Sequence, residues 1–268
     1  MLIIGENINA SSKRVAEAIG RRDALFLQEM AHKQVSAGAN YLDVNAGRGR
    51  GTEQEIEDLK WAIETVQAAT DVPLAIDSSD PQAIRAALAH YSGKAAMINS
   101  VNAEDDRLRA LLPLTLEHQA DVIALAMGDG GVPRDVEGRL RACDRIMERA
   151  AAYGVPLERI FLDPLVLPLS VDTDEGLVTL RTLEQIKARY PQAKTTLGLS
   201  NVSYGLPLRG TINRALLLMA MYLGLDSVIL DPIDARLMAH IRAAQVVLGR
   251  DPFCKSYLKD YRRGTIKE

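Results

Sequence analysis

Eight short apolar runs in this chain end in polar residues of a narrow kind. The ends read Glu6-Asn7 with Asn9, Asp43-Val44-Asn45, Asp77-Ser78-Ser79, Asn99-Ser100, Met127-Gly128-Asp129, Asp163-Pro164, Ser200-Asn201 and Asp231-Pro232. A carboxylate accepts two parallel hydrogen bonds from an amidine-like edge, and a carboxamide matches a lactam that both donates and accepts. Together they suit a flat heterocycle with adjacent N–H donors, and a pterin has that edge. Oxygen ligands alone also admit Mg2+ or Mn2+ as a second reading. Zinc or triad chemistry is not expected, because His32, His90, His118 and His240 all fall in helical segments and nothing resembles HExxH.

Any one Asp or Asn here has an ordinary explanation as a strand stop or helix cap, and Asp231 before a proline reads as a turn former. Collected in one ring, they would be costly to bury without a ligand. The set is therefore read as a polar pocket.

The runs that must position them are LIIGE from Leu2, NYLDV from Asn40, PLAID from Pro73, AAMIN from Ala95, DVIALAM from Asp121, RIFLD from Arg159, TTLGLS from Thr195 and SVILD from Ser227. They alternate with helical patterns at Glu53–Ala69, Pro81–His90, Glu104–His118, Val136–Tyr153, Glu175–Tyr190, Ile212–Leu223 and Ala235–Leu248. Ser79-Asp80-Pro81 supplies a cap and a first-turn proline, Thr173-Asp174-Glu175 puts acids at a helix start, and Gly38, Gly154 and Gly224 fall where helices end. Eight unbroken βα units in 268 residues predict an α/β fold, a single-domain (βα)8 TIM barrel over residues 1–268. No GxGxxG turn follows the first strand, which disfavours a dinucleotide fold. In a barrel the polar strand ends share one open face, where active sites of this fold lie.

A net charge of -3 and a pI of 5.9 provide no field for nucleic acid or an anionic membrane. The two cysteines, Cys143 and Cys254, form no metal or redox spacing and point to a reducing compartment. MLIIGENINA carries no basic leader, and the longest apolar run, Ala215 to Leu225, is short of a membrane span. A soluble, cytoplasmic protein is expected.

The strings LIIGENIN, YLDVNAG, LAIDSSD, AMINSVNAE, IFLDPLVLP and LGLSNVSYGLPLRGTINR, in order from Leu2 to about Leu258, closely resemble the methyltetrahydrofolate:corrinoid protein methyltransferases of the pterin-binding barrels. The resemblance implies an enzyme that moves a methyl group between N5 of 5-methyltetrahydrofolate and a corrinoid (cobalamin) cobalt on a separate corrinoid-binding protein. It further implies that Asp77, Asn99 and Asp163 hold the pterin and that Asn201 reaches N5 and supports its protonation. Asp43 and Ser200 match a water-linked network near N5, Gly198 and Met127 fall beside the ring, and Arg209 matches an arginine near the outer part of the folate. Tyr204 is grouped with the folate-binding set. Gly128-Asp129 replaces an Asn of close relatives, and Tyr204-Gly205 stands where several have amides. SNVSY is also similar to the folate module of cobalamin-dependent methionine synthase. The family is usually homodimeric, which gives the Ala215–Leu225 helix a choice between core and dimer surface. Dihydropteroate synthase is the alternative enzyme, but its SRK-like and R-x-H motifs are replaced by Ser200-Asn201-Val202 and Asp231-Pro232-Ile233. A non-catalytic folate-binding barrel is the remaining alternative.

Overall fold

A computed structural model describes residues 1–93 and 95–266. Its eight parallel strands are β1 (Leu2–Asn9), β2 (Tyr41–Asn45), β3 (Leu74–Asp77), β4 (Ala96–Val101), β5 (Asp121–Leu125), β6 (Ile160–Asp163), β7 (Lys194–Thr195) and β8 (Ser227–Leu230). They follow one another in chain order from β1 to β7, with β8 beside β1, so the sheet rolls into a TIM barrel. The remaining seam, between β7 and β8, is spanned by a bridge from Gly198 to Ile229 and a hydrogen bond from Ile229 N to Leu197 O (2.9 Å).

Seven helices follow the expected patterns closely: α3 (Thr52–Gln67), α4 (Pro81–His90), α5 (Asp105–Glu117), α6 (Val136–Tyr153), α7 (Glu175–Arg189), α8 (Arg209–Tyr222) and α9 (Ala235–Val247). Their ends carry the anticipated chemistry. The Asp80 carboxylate accepts from Gln82 N ahead of Pro81, and Gly154 closes α6 in the left-handed conformation at φ 76. Two helices, α1 (Lys13–Arg21) and α2 (Ala24–Ser36), occupy the β1–β2 connection, and α10 (Lys255–Arg262) lies after α9.

The largest departure is β7. The run Thr195–Ser200 was expected as a strand, yet only Lys194 and Thr195 pair with β6, and the chain then turns into a 3-10 turn at Leu199–Asn201. DVIALAM likewise leaves the sheet at Leu125, with Met127 N folded back onto Leu125 O (2.7 Å). In the opposite direction, β1 runs on to Asn9 across a register shift between Gly5 and Ile8. There the Oε1 of the buried Gln34 accepts from Asn7 N (3.0 Å), and a Cβ on Gly5 would meet that oxygen at 2.4 Å, so a larger residue would push the Gln34 amide out of place.

Apolar packing divides into an outer and an inner part. Between sheet and helices lie two extended clusters, one around Leu42, Leu59, Ile63 and Leu111, the other around Leu197, Leu217, Val228 and Ile241. Inside the barrel a small plug of Ile4, Tyr41, Ala75, Met97, Ile123 and Phe161 fills the lumen. Burying such side chains fully contributes about 1.5–3 kcal/mol each relative to exposure, and the plug provides a floor for the open end.

Candidate active site

Alternation along a strand carries the inner plug directly into the site. Side chains two residues apart share a face, so Ile4 leads to Glu6, Tyr41 to Asp43, Ala75 to Asp77, Met97 to Asn99, Phe161 to Asp163 and Ile229 to Asp231. The level above an apolar floor is thus a polar layer. Strand register keeps it flat: Asn45 stands opposite Asp77, and Asp77 opposite Asn99.

Within the layer Asp43 and Asp77 are each met by an amide, and Asp163 by a backbone donor. Asn99 Nδ2 donates to Asp43 Oδ1 (2.9 Å), Asn45 Nδ2 to Asp77 Oδ2 (3.0 Å), and Leu165 N to Asp163 Oδ1 (2.7 Å). Asp43 and Asp163 are only 3% and 5% exposed, which makes their desolvation the dominant electrostatic fact. Burial raises Asp43 well above the ordinary carboxylate range, and the neighbouring Asp77 charge adds to it while the Asn99 hydrogen bond opposes it. Asp77 is raised by burial against the Asn45 hydrogen bond. Asp163 is pushed up to about 7 by burial, against the Leu165 hydrogen bond and the Arg139 charge. Buried carboxylates with spare acceptor capacity gain most from a ligand that brings N–H donors. Among the described residues no group of three or more His, Cys, Asp or Glu is arranged to hold a metal ion.

Three arginines brace the loops that present these groups. Arg107 donates to Ser78 O (2.9 Å), Ser79 O (2.6 Å) and Ser100 O (2.8 Å), tying the ends of β3 and β4. Arg139, fully buried, donates to Pro133 O (3.0 Å), Pro164 O (3.0 Å) and Leu165 O (2.9 Å) and pairs with the buried Glu175. That clamp fixes Leu165 at a φ of 66, aiming its N–H back at Asp163. Arg209 opens α8 and donates to Ser200 O (2.6 Å) and Ser203 Oγ (3.1 Å), bracing the turn that carries Asn201.

That turn is the second half of the site. Ser200 Oγ donates to Glu6 Oε1 (2.6 Å), which pins it to the polar layer, and burial raises the Glu6 pKa. Asn201 is exposed beside it, and a Cβ at Gly198 would approach its Nδ2 at 3.3 Å. Asn201 faces a cavity of about 440 Å3 shared with Glu6, Asn9, Arg14 and Phe26. Asp77, Asn99 and Asp163 do not line that cavity, which borders the layer on its β1 side. Met127 is half-buried after β5, its carbonyl accepting from Ala103 N (2.7 Å). Tyr204 is 66% exposed on the rim, its carbonyl accepting from Ser170 Oγ (2.7 Å).

The fold thus brings Asp43, Asp77, Asn99 and Asp163 into one layer with Ser200 and Asn201 at its edge. Glu6 and Asn45, read from the sequence as strand-end members of the polar pocket without individual roles, also belong to this arrangement, as do Arg107 and Arg139, which that reading did not name. Glu6 and Asn45 were legible as inward positions of their strands. The two arginines sit in the first turns of α5 and α6, and their other acceptors, Ser78, Ser79, Pro164 and Leu165, lie 25 to 29 residues away, which gave no local sign.

Residues 5–231 match the family described as pterin binding enzyme. The chain belongs to that family. This pterin-binding enzyme is 35% identical over 268 residues, 99% of its length and 98% of the relative's, to the methylcorrinoid:tetrahydrofolate methyltransferase of Eubacterium limosum. It is 31% identical over 243 residues to the methionine synthase of Mycobacterium tuberculosis, covering 85% of this chain but 20% of that much longer protein. Solved dihydropteroate synthases share its fold. That of Xanthomonas albilineans, in complex with indole-2-carboxylic acid and 6-chloroguanine, superposes with a TM-score of 0.69 at 20% identity, covering 94% of this chain and 93% of that one. The Thermus thermophilus enzyme in complex with 6HMPPP gives a TM-score of 0.67 at 22% identity, with coverages of 92% and 93%.

Proposed function

We propose that this pterin-binding enzyme transfers a methyl group between N5 of 5-methyltetrahydrofolate and the cobalt of a corrinoid held by a separate protein. The observation that carries the reading is the layer of buried carboxylates and amides with Asn201 at its edge, in a chain 35% identical throughout to a methylcorrinoid:tetrahydrofolate methyltransferase. Asp77 and Asp163 accept from the amidine side of the pterin, and Asn99 meets its lactam. Met127 and Gly198 flank the ring, and Tyr204 and Arg209 stand toward its outer substituent.

An N5-methyl amine releases its methyl group only if the nitrogen gains a proton as the carbon–nitrogen bond breaks. The corrinoid supplies a Co(I) nucleophile that receives the methyl, or in reverse a methyl–cobalt bond that gives it. This chain supplies the surroundings of the proton. The Asn201 amide oxygen accepts from protonated N5 without titrating, and Ser200, bonded to Glu6, holds the turn in place. Asp43, reached through water, offers a further oxygen acceptor. Hydrogen bonds that strengthen as charge develops accelerate the step, each by about 10²- to 10³-fold.

Replacing Asn201 with Ala should therefore lower methyl transfer by about 10²-fold while changing tetrahydrofolate affinity little. The assay follows the cobalt absorption bands with 5-methyltetrahydrofolate and Co(I) cobalamin, then with methylcobalamin and tetrahydrofolate. Comparable rates for wild type and variant would remove Asn201 from the reaction. Failure of any folate to bind would overturn the whole reading, and condensation of a pterin pyrophosphate with p-aminobenzoate would reassign the chain to dihydropteroate synthesis.

The Eubacterium limosum relative is named with methylcorrinoid as donor and tetrahydrofolate as acceptor. That favours tetrahydrofolate methylation in O-demethylation or similar one-carbon catabolism, carried out in the cytoplasm. We further assign a homodimer through α8. Its inner face buries Leu216, Leu217, Ala220 and Met221, but Met219 and Tyr222 are 54% and 76% exposed one turn apart. Tyr222→Glu should convert the dimer to monomer by light scattering, and a monomeric wild type would refute the assignment.

A further inference from the structure

One amide of the polar layer has no task in the functional reading. Asn45 ends β2 and stands opposite Asp77, to whose Oδ2 its Nδ2 donates (3.0 Å). Its own Oδ1 accepts from Gly47 N (3.0 Å). A carboxamide has a donor on one side and an acceptor on the other, so the Gly47 bond fixes which end faces Asp77. The loop that carries Gly47 is anchored in turn. Arg48 Nε donates to Oδ2 of the buried Asp58 (2.7 Å), whose Oδ1 is met by Arg22 (3.0 Å) and Gln54 (3.1 Å). On the β3 side the buried Ser78, next to Asp77, donates to Glu55 on α3.

Among the described residues Asn45 is the one side chain that hydrogen-bonds Asp77, and Asp77 Oδ1 has no donor. Arg107 on α5 also favours the charged form of Asp77, but it spends its own donors on the carbonyls of Ser78, Ser79 and Ser100. Glu55 on α3 and Asp43 on β2 disfavour that charge, and so does burial. A carboxyl group in such surroundings takes up a proton more readily, and the proton would sit where an N–H donor has to dock. We propose that Asn45 is a positioning residue that keeps Asp77 an acceptor: it occupies Oδ2, leaves Oδ1 to the pterin and opposes the proton that would turn the group into a donor. The inference rests on the functional reading above, in which Asp77 takes the amidine edge.

Two substitutions at this position should change the pH dependence of binding in opposite directions. Asn45→Asp exchanges an NH2 for an oxygen at nearly constant volume. While the introduced carboxyl holds a proton it donates to Asp77 as the amide does; once it ionises, two like charges face each other and Asp77 loses its donor. Calorimetry with 5-methyltetrahydrofolate should place this variant within about threefold of the wild-type Kd at pH 6 and about tenfold or more above it at pH 9. Asn45→Ala removes the donor without adding a charge, so Asp77 holds its proton to higher pH. Its affinity should be about tenfold below wild type at pH 6 and recover as pH rises, with more protons released on binding than in wild type, read from buffer-dependent heats. A loss by one constant factor at every pH in Asn45→Asp would make the residue merely structural and overturn the proposal. Wild-type affinity or wild-type proton release in Asn45→Ala would overturn it as well, and that variant decides the matter alone should Asn45→Asp not fold. If the wild type itself binds no folate, the functional reading fails and this inference falls with it.

Discussion

Replacing Asp163 with Asn should make the ligand-free barrel more stable at neutral and alkaline pH while weakening its hold on folate. Asp163 is 5% exposed, and burial lifts its pKa to about 7 from 3.8. An acid that binds its proton more tightly when folded favours folding fully below its unfolded pKa. That contribution is lost as pH rises toward the folded one. At about 1.4 kcal/mol per pH unit, the interval from 3.8 to about 7 corresponds to about 4 kcal/mol. Asparagine has nearly the same volume, keeps an oxygen for the Leu165 N–H, and has no charge to bury. Urea unfolding of ligand-free wild type and variant at pH 5 and pH 8, at one fixed protein concentration, reads the difference directly. Between those conditions the wild type should lose about 3 kcal/mol relative to Asp163→Asn. Curves that stay parallel to within about 0.5 kcal/mol would refute the claim that a buried carboxylate controls this end of the barrel. Folate affinity should fall by about 1–3 kcal/mol, because an N–H2 now confronts the donors of the ligand. Near pH 7 the wild type should also release protons on binding folate, seen as buffer-dependent calorimetric heats, and the variant should release fewer.

Two further substitutions probe the supporting structure. Glu175→Ala leaves the fully buried Arg139 guanidinium without its carboxylate and should cost about 3–5 kcal/mol in urea unfolding; a loss under about 1 kcal/mol would mean the clamp is not held by charge. Leu208 is 82% exposed and held at a φ of 50 just before α8, so Leu208→Gly should raise stability by about 0.5–1 kcal/mol, and a decrease would show that the leucine makes an unrecognised contact.

Most of the barrel was legible because its signals are local. Short apolar runs and helical periodicity located all eight strands, and Pro81 and Gly154 marked real helix ends. The polar layer was legible too, since period-two alternation places a polar residue above every member of the inner plug except Ile123, which is followed by Leu125. What escaped depended on long-range pairing. Thr196–Ser200 has strand-like composition but leaves the ladder at the seam, where Gly198 and a 3-10 turn redirect it. A helix ending at Gly38 was expected between β1 and β2, but its division into α1 and α2 was not read, although Asp23 caps α2 by accepting from Phe26 N (3.1 Å). Arg107 and Arg139 acquire their roles only when distant loops converge on them.

The shortness of β7 has a dynamic consequence. Two paired residues join β7 to β6 and one bridge closes the seam to β8, whereas β3 to β6 are joined by ladders of four residue pairs each. Free energies of local opening follow such differences, so amides from about Thr196 to Leu208 should exchange with solvent sooner than those of the neighbouring strands. In the proposed binding mode the heterocycle is clasped by the fully laddered strands and met at N5 by the turn after β7. On that proposal, the turn can shift between a methylated and an unmethylated nitrogen while the strands that hold the rest of the ring stay in register.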